Sequence, residues 1–141
     1  MTEIILDMDT LNNLRAFEKI TRTKAIDCIN SETRITFIVP PRQLSHAIGR
    51  NAANVRRLRE IMKKQVDIIE FSDDPEEFIR NIFHRFRVLR IEIKNGEHGL
   101  TAYVYVRPLD KGKAIGKNGS NLRRAENILK RHFGIENIYI Q

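Results

Sequence analysis

Ala114-Ile115-Gly116-Lys117-Asn118-Gly119-Ser120-Asn121-Leu122-Arg123-Arg124 is the stretch that decides the fold. It reads as the end of a short helix, a four-residue loop bounded by glycines, and the start of a second helix carrying an Arg pair. A weaker copy stands 67 residues earlier, Ala47-Ile48-Gly49-Arg50-Asn51-Ala52-Ala53-Asn54-Val55-Arg56-Arg57. Length alone suggests one domain. The repeat argues for two, 1–72 and 73–141, each near the lower size at which a core holds unaided.

Working outward from the first copy, Leu11, Leu14, Phe17 and Ile20 have helical spacing, with Asp9 or Thr10 as the cap. Ala25–Asn30 and Arg34–Val39 read as strands around a turn at Asn30-Ser31-Glu32, and Pro40-Pro41 closes the second. Gln43–Ile48 is a short helix. Ala53–Lys64 is a longer one with Val55, Leu58, Ile61 and Met62 inward. Val66–Phe71 is a third strand.

Ser72-Asp73-Asp74-Pro75 marks the boundary, and Asp74-Pro75-Glu76-Glu77 has the form of a capped helix start. The order then repeats. Phe78, Ile82 and Phe86 line a helix. Leu89, Ile91 and Ile93 alternate with charged residues in a half-buried strand, Asn95-Gly96 makes a hairpin turn, and Thr101–Val106 returns. Lys111–Ile115 is a short helix. Ser120–Phe133 is a long one, with Leu122, Ala125, Leu129 and Phe133 inward and Gly134 as its stop. Asn137–Ile140 ends the pattern. In each half the first two strands should be antiparallel. The last, reached through two helices, should run parallel to a neighbour. The class is α+β, each half a three-stranded mixed sheet with helices packed on one face.

The net charge is +7. From Arg42 to Lys64 there are seven Lys/Arg against one acid, and from Arg107 to Arg131 eight against two. Each stretch therefore carries +6, and the remainder carries −5. Basicity confined to the two repeated stretches is the footprint of a polyanion-binding surface. No apolar run reaches the ~20 residues of a membrane span. Met1–Thr10 lacks the basic segment of a signal peptide. Cys28 is the single cysteine, so no intrachain disulfide forms, and a reducing compartment, the cytoplasm, is expected.

A glycine-bounded loop that opens a helix suits a nucleic-acid backbone. Glycine lets the main chain approach a ligand closely. The new helix offers unpaired N–H groups and partial positive charge to a phosphate. Lys117, Arg123 and Arg124 add mobile charge, and Ile115 and Leu122 can form an apolar floor for bases. A nucleotide P-loop fails on spacing, with three residues between Gly112 and Gly116, and on the metal ligand, since Asn118 follows Lys117. A purely structural helix–helix turn would explain one loop, but not the duplication with the charge gathered on both copies. His46, His84, His98 and His132 show no metal-ligand spacing. Asp73, Asp74, Glu76 and Glu77 read as a helix start favoured by its dipole rather than a cation site. Tyr103 and Tyr105 alternate on one strand face and read as sheet packing ahead of base-stacking platforms. No catalytic constellation can be assembled, so neither enzyme activity nor a cofactor or metal is expected.

These residues resemble the KH family of single-strand nucleic-acid binders, whose mark is Ile-Gly-x-x-Gly between two helices. Ile115-Gly116-Lys117-Asn118-Gly119 fits it fully. A helix and a strand precede each strand–helix–helix–strand core, an order similar to the type II (prokaryotic) variant. Two such domains in tandem, joined by a few residues, resemble the KH pair of the NusA family of transcription factors. The likeness is to its short archaeal form, which lacks the polymerase-binding N-terminal domain and the S1 domain of bacterial members. It covers nearly the whole chain.

The resemblance implies a non-enzymatic, monomeric single-stranded RNA-binding factor in transcription elongation or termination. Its partners would be the nascent transcript and RNA polymerase or the transcription complex. KH loops clamp about four nucleotides of backbone. Gly116, Lys117, Asn118 and Gly119 would hold phosphates, with Ile115 and Leu122 beside the bases and Asn121, Arg123 and Arg124 on the following helix. In the first domain Gly49, Arg50 and Asn51 correspond, with Ile48 and Val55 beside them and Asn54, Arg56 and Arg57 following. Ala52 departs from the pattern. If that position needs a positive φ or a very close phosphate, Ala costs about 1 kcal/mol or blocks the contact. The second domain is then expected to bind more strongly and the first to extend the site. The competing expectations are a ribosome-associated KH protein and a scaffold docking polymerase without RNA.

Overall fold

The structure, a computed structural model, describes residues 7–141. Residues 1–6, part of the expected first domain and most of the stretch read as lacking a signal peptide, lie outside the described residues. The described chain divides into two compact units that separate between Asp73 and Asp74.

In the first unit, α1 (Met8–Thr21) is capped by Asp7 rather than by Asp9 or Thr10. The Asp7 carboxylate accepts a hydrogen bond from the Thr10 N–H at 2.7 Å, because the helix starts early enough to put Asp9 and Thr10 inside its first turn. β1 (Asp27–Asn30) pairs antiparallel with β2 (Arg34–Val39). α2 (Leu44–Ile48) and α3 (Ala53–Met62) cross over to β3 (Gln65–Glu70), which runs parallel to β2. β2 is central, and the strand order is β1-β2-β3.

The core gathers Phe17, Phe37, Ala47, Val55 and Leu58, with the Phe17 and Phe37 rings stacked at 4.3 Å. Burying a side chain such as Leu58 contributes about 2–3 kcal/mol. Ile61, expected inward, is exposed. Lys63 adopts a left-handed conformation (φ 55) that stops α3 at Met62, so the last turn has little left to cover it.

The second unit repeats the order. α4 (Pro75–Ile82) is capped by Asp74, whose carboxylate accepts from the Glu76 N–H at 3.2 Å. The helix stops at Ile82, so Phe83, not Phe86, completes the buried face. β4 (Val88–Gly96) and β5 (Gly99–Val106) form an antiparallel hairpin, and β6 (Ile135–Ile140) adds in parallel to β5. A register shift between Val88 and Arg90 leaves Leu89 without a cross-strand partner, and its side chain is exposed. Of the alternating trio only Ile91 is buried, because Ile93 lies toward the projecting end of the hairpin. Asn95 and Gly96 are still paired, with Leu100 and Gly99, and the turn falls on Glu97-His98. Gly99 takes the positive φ, 92°, that closes it.

α5 (Lys111–Ile115) follows a 3-10 turn at Pro108–Asp110, and α6 (Ser120–Phe133) ends on Gly134 at φ 65. Ile128 is fully buried beside Ala125 and Leu129, whereas Leu122 and Phe133 are half-buried. Among the described residues no helix is long and apolar enough to cross a membrane.

Candidate nucleic-acid interface

Each sequence motif folds as a five-residue helix, a sharp turn and a long helix. A helix of one turn has no stability of its own. α2 and α5 are held by a fully buried alanine each, Ala47 and Ala114, and pack toward β3 and β6. Each ends at a glycine in a conformation that L-residues scarcely populate: Gly49 at φ 81, ψ 166 and Gly116 at φ 83, ψ 166. A Cβ on Gly116 would lie 2.8 Å from the Asn121 backbone nitrogen. On Gly49 it would lie 2.8 Å from the Asn54 amide.

The loop tips match residue by residue. Asn51 (φ 54, ψ 31) corresponds to Asn118 (φ 55, ψ 28), and Ala52 (φ 58, ψ 29) to Gly119 (φ 72, ψ 15). The position that departs from the glycine pattern therefore does adopt a positive φ, and the chain carries the cost. The Ala52 methyl is half-buried and packs on the first core, so it is turned inward.

Two further contacts recur in both copies, and sequence reasoning missed them. The Asn121 side-chain amide donates to the Ala114 carbonyl at 2.7 Å, and Asn54 donates to Ala47 at 3.1 Å. Arg123 donates to the carbonyl of Asn118, and Arg56 to that of Asn51. The first contact ties the long helix to the short one. The second braces the tip from behind. The available signal was the identical spacing in both repeats: Ala, Gly two residues on, Asn seven residues on, Arg nine residues on.

Placement of the remaining candidates is uneven. Arg50, Asn51, Lys117 and Asn118 are exposed at the tips, and among the described residues neither Arg50 nor Lys117 makes an ion pair. Arg57 is exposed on α3. Arg124 is half-buried and donates to Asn121 Oδ1 at 2.6 Å. Ile48, Ile115 and Leu122 are half-buried beside the loops, as an apolar floor requires. Val55 is buried in the first core, so Ile48 is left as the floor there. Within the basic stretches, Arg107 pairs with Asp110 at 2.9 Å and Lys130 with Glu136 at 3.4 Å, which neutralises them locally.

The starts of the long helices are also distinctive. α1 and α4 are capped by aspartates, but no side chain caps α3 or α6. The first N–H of each donates across the turn, Ala53 to the Arg50 carbonyl and Ser120 to the Lys117 carbonyl, and each start follows a loop tip with an exposed cation, an arrangement suited to an oxyanion. Among the described residues no group of three His, Cys, Asp or Glu could hold a metal ion.

Known proteins resemble the chain in sequence and in fold. Residues 75–141 match the family described as the NusA-like second KH domain. The chain is 35% identical, over 99% of its length and 76% of the relative's, to a probable transcription termination protein NusA of Methanocaldococcus jannaschii. It is 31% identical to the protein of the same name from Thermoplasma acidophilum, covering 98% of that chain. A solved crystal structure, that of APE1850, superposes with a TM-score of 0.81 at 31% identity and covers 96% of this chain. The fold is two tandem type II KH domains.

Proposed function

The chain belongs to the archaeal NusA family of transcription termination proteins, and from that premise we propose that it acts by holding single-stranded RNA on its two loops. The carrying observation is the pair of loops with matching backbone conformation, each topped by an exposed cation and each opening a helix that no side chain caps. Within Gly49–Ala52 and Gly116–Gly119 the main-chain N–H groups of Gly49, Ala52, Gly116 and Gly119 already donate to carbonyls of the chain, so those of Arg50, Asn51, Lys117 and Asn118 take the phosphates. Arg50 and Lys117 neutralise them, and Ile48, Ile115 and Leu122 lie under the bases. Asn54, Arg56, Asn121 and Arg123 position the loops, while Arg57 and Arg124 extend the positive field.

The inward-turned Ala52 methyl leaves the first loop open to a phosphate, so both domains, 1–72 and 73–141, contribute. The RNA is the nascent transcript, and RNA polymerase or its elongation complex is the protein partner. The factor acts as a cytoplasmic monomer without catalysis and without a cofactor.

The test is fluorescence-anisotropy titration of a ~12-nucleotide single-stranded RNA, its DNA counterpart and a duplex, across a salt series. Wild type is set beside Lys117→Asp/Asn118→Asp. The reading requires the single-stranded RNA to bind best, salt to weaken it, and the folded double variant to lose it. Equal binding by variant and wild type would overturn the loop assignment in favour of a polymerase-docking scaffold.

A further inference from the structure

The chain has three tyrosines and no tryptophan, and all three tyrosines lie on one face of the second sheet. Along β5, Ala102, Val104 and Val106 are buried toward the helices, so Tyr103 and Tyr105 point to the opposite face. Register places Tyr139 beside Tyr103, Glu92 across from Tyr103, and Arg90 across from Tyr105. The Tyr103 and Tyr139 rings stack at 5.5 Å with 22° between planes. The Arg90 guanidinium lies 4.2 Å above the Tyr105 ring, and Lys94 Nζ lies 5.5 Å from the Tyr103 ring. Tyr139 is 50% exposed.

The fold does not demand this face. At the positions 67 residues earlier the first repeat carries Thr36 and Ile38, both fully buried. The large core aromatics are phenylalanines: Phe17, Phe37, Phe78 and Phe83 are all fully buried. Tyr139 is a surface residue and Tyr103 and Tyr105 are half-buried beside it, with cations already on the Tyr103 and Tyr105 rings. Arg90 and Lys94 outnumber Glu92, with which both form ion pairs, so the face is net positive. Flat rings beside mobile cations match a ligand that presents π-faces and phosphates together, which single-stranded nucleic acid does.

We propose that the Tyr103–Tyr105–Tyr139 face, with Arg90 and Lys94, is a second single-stranded RNA surface on which bases stack, on the side of the second sheet away from the Gly116–Gly119 loop. It rests on the RNA-binding reading above and extends it. Bases stack on the exposed Tyr139 ring and, as Arg90 swings from Glu92 to a phosphate, on the Tyr105 face it uncovers, while Lys94 makes the same exchange.

With no tryptophan, intrinsic emission reports this face alone. The experiment titrates the full chain with ~30-nucleotide oligouridylate, reading tyrosine emission and the anisotropy of end-labelled RNA together. Wild type is compared with Tyr139→Leu and Tyr103→Leu, which keep apolar area but lose the ring. The proposal expects emission to be quenched in step with binding, and each variant to bind about 5–10-fold more weakly. If wild type binds by anisotropy but emission stays constant and both variants bind equally well, the face is not an RNA surface, and the loop reading survives. If only a protein of the transcription complex protects the tyrosines, the face is a protein-docking surface and the proposal falls. If no RNA binds wild type, both readings fall together.

Discussion

The side-chain amide of Asn121 donates a 2.7 Å hydrogen bond to the carbonyl of Ala114, closing the long helix of the second domain onto the end of the short one. Asn54 and Ala47 repeat it in the first domain. The bond satisfies a carbonyl at a helix end that the chain reversal would otherwise leave without a partner. It also packs the asparagine against the glycine that begins the loop, so no Cβ fits there.

Asn121→Ala should lower stability by about 1–2 kcal/mol, since a half-buried carbonyl loses its donor. For a domain of this size that is a fall in Tm of roughly 4–16 °C by circular dichroism. An unchanged Tm would show that the amide contact holds nothing.

The glycines of the loop should rank sharply. Gly116→Ala meets a backbone atom and leaves a Gly-only conformation, costing roughly 3 kcal/mol or more. Gly119→Ala meets only a side-chain atom, Arg123 Nη1 at 3.1 Å, and should cost about 1–2 kcal/mol for its left-handed φ. Ala52→Gly relieves the same strain, offset by a looser unfolded chain, and should stabilise by no more than about 1 kcal/mol. Urea denaturation of the three variants side by side gives the order. Equal costs at Gly116 and Gly119 would refute the geometric account.

The exposed tip cations should act through charge. Lys117→Ala should make the plot of log affinity against log salt shallower by about 0.7 for one lost single-strand phosphate contact, and Arg50→Ala should do the same. Arg57→Ala should leave the slope closer to wild type if its role is the general field alone. A Lys117→Ala slope identical to wild type would remove the lysine from the phosphate contact.

Asp74 begins the second domain by accepting from the Glu76 N–H. Asp74→Ala should cost about 1 kcal/mol, while Asp73→Ala, one residue outside the helix, should cost little. The two melting curves separate a cap from a general acidic effect.

Much of this protein was legible because its signals are short-range. β2, α5 and α6 occupy the expected spans, Arg34–Val39, Lys111–Ile115 and Ser120–Phe133, since prolines and glycines bound them and the alternation or helical period between those bounds is unbroken. The two-residue shift of the hairpin turn from Asn95-Gly96 to Glu97-His98 has a different origin. The favoured dipeptide lies inside the ladder because cross-strand pairing continues through Gly96 to Gly99, and the pairing register, not the dipeptide, fixes the turn.

Sequence by itself determined the duplication, the antiparallel-then-parallel strand order, the two basic loops and their glycines, because each is read from short local patterns and from the order in which those patterns repeat. Tertiary structure alone decided that Asn54 and Asn121 clamp the loops, that Ala52 takes the left-handed turn with its methyl inward, and that Ile61, Leu89 and Ile93 stay outside while Ile128 goes in. It also turned all three tyrosines onto one solvent face. Periodicity says which side chains share a side of an element. Which side is covered depends on the elements that pack there, and that depends on where each helix stops and how each strand registers with its neighbour.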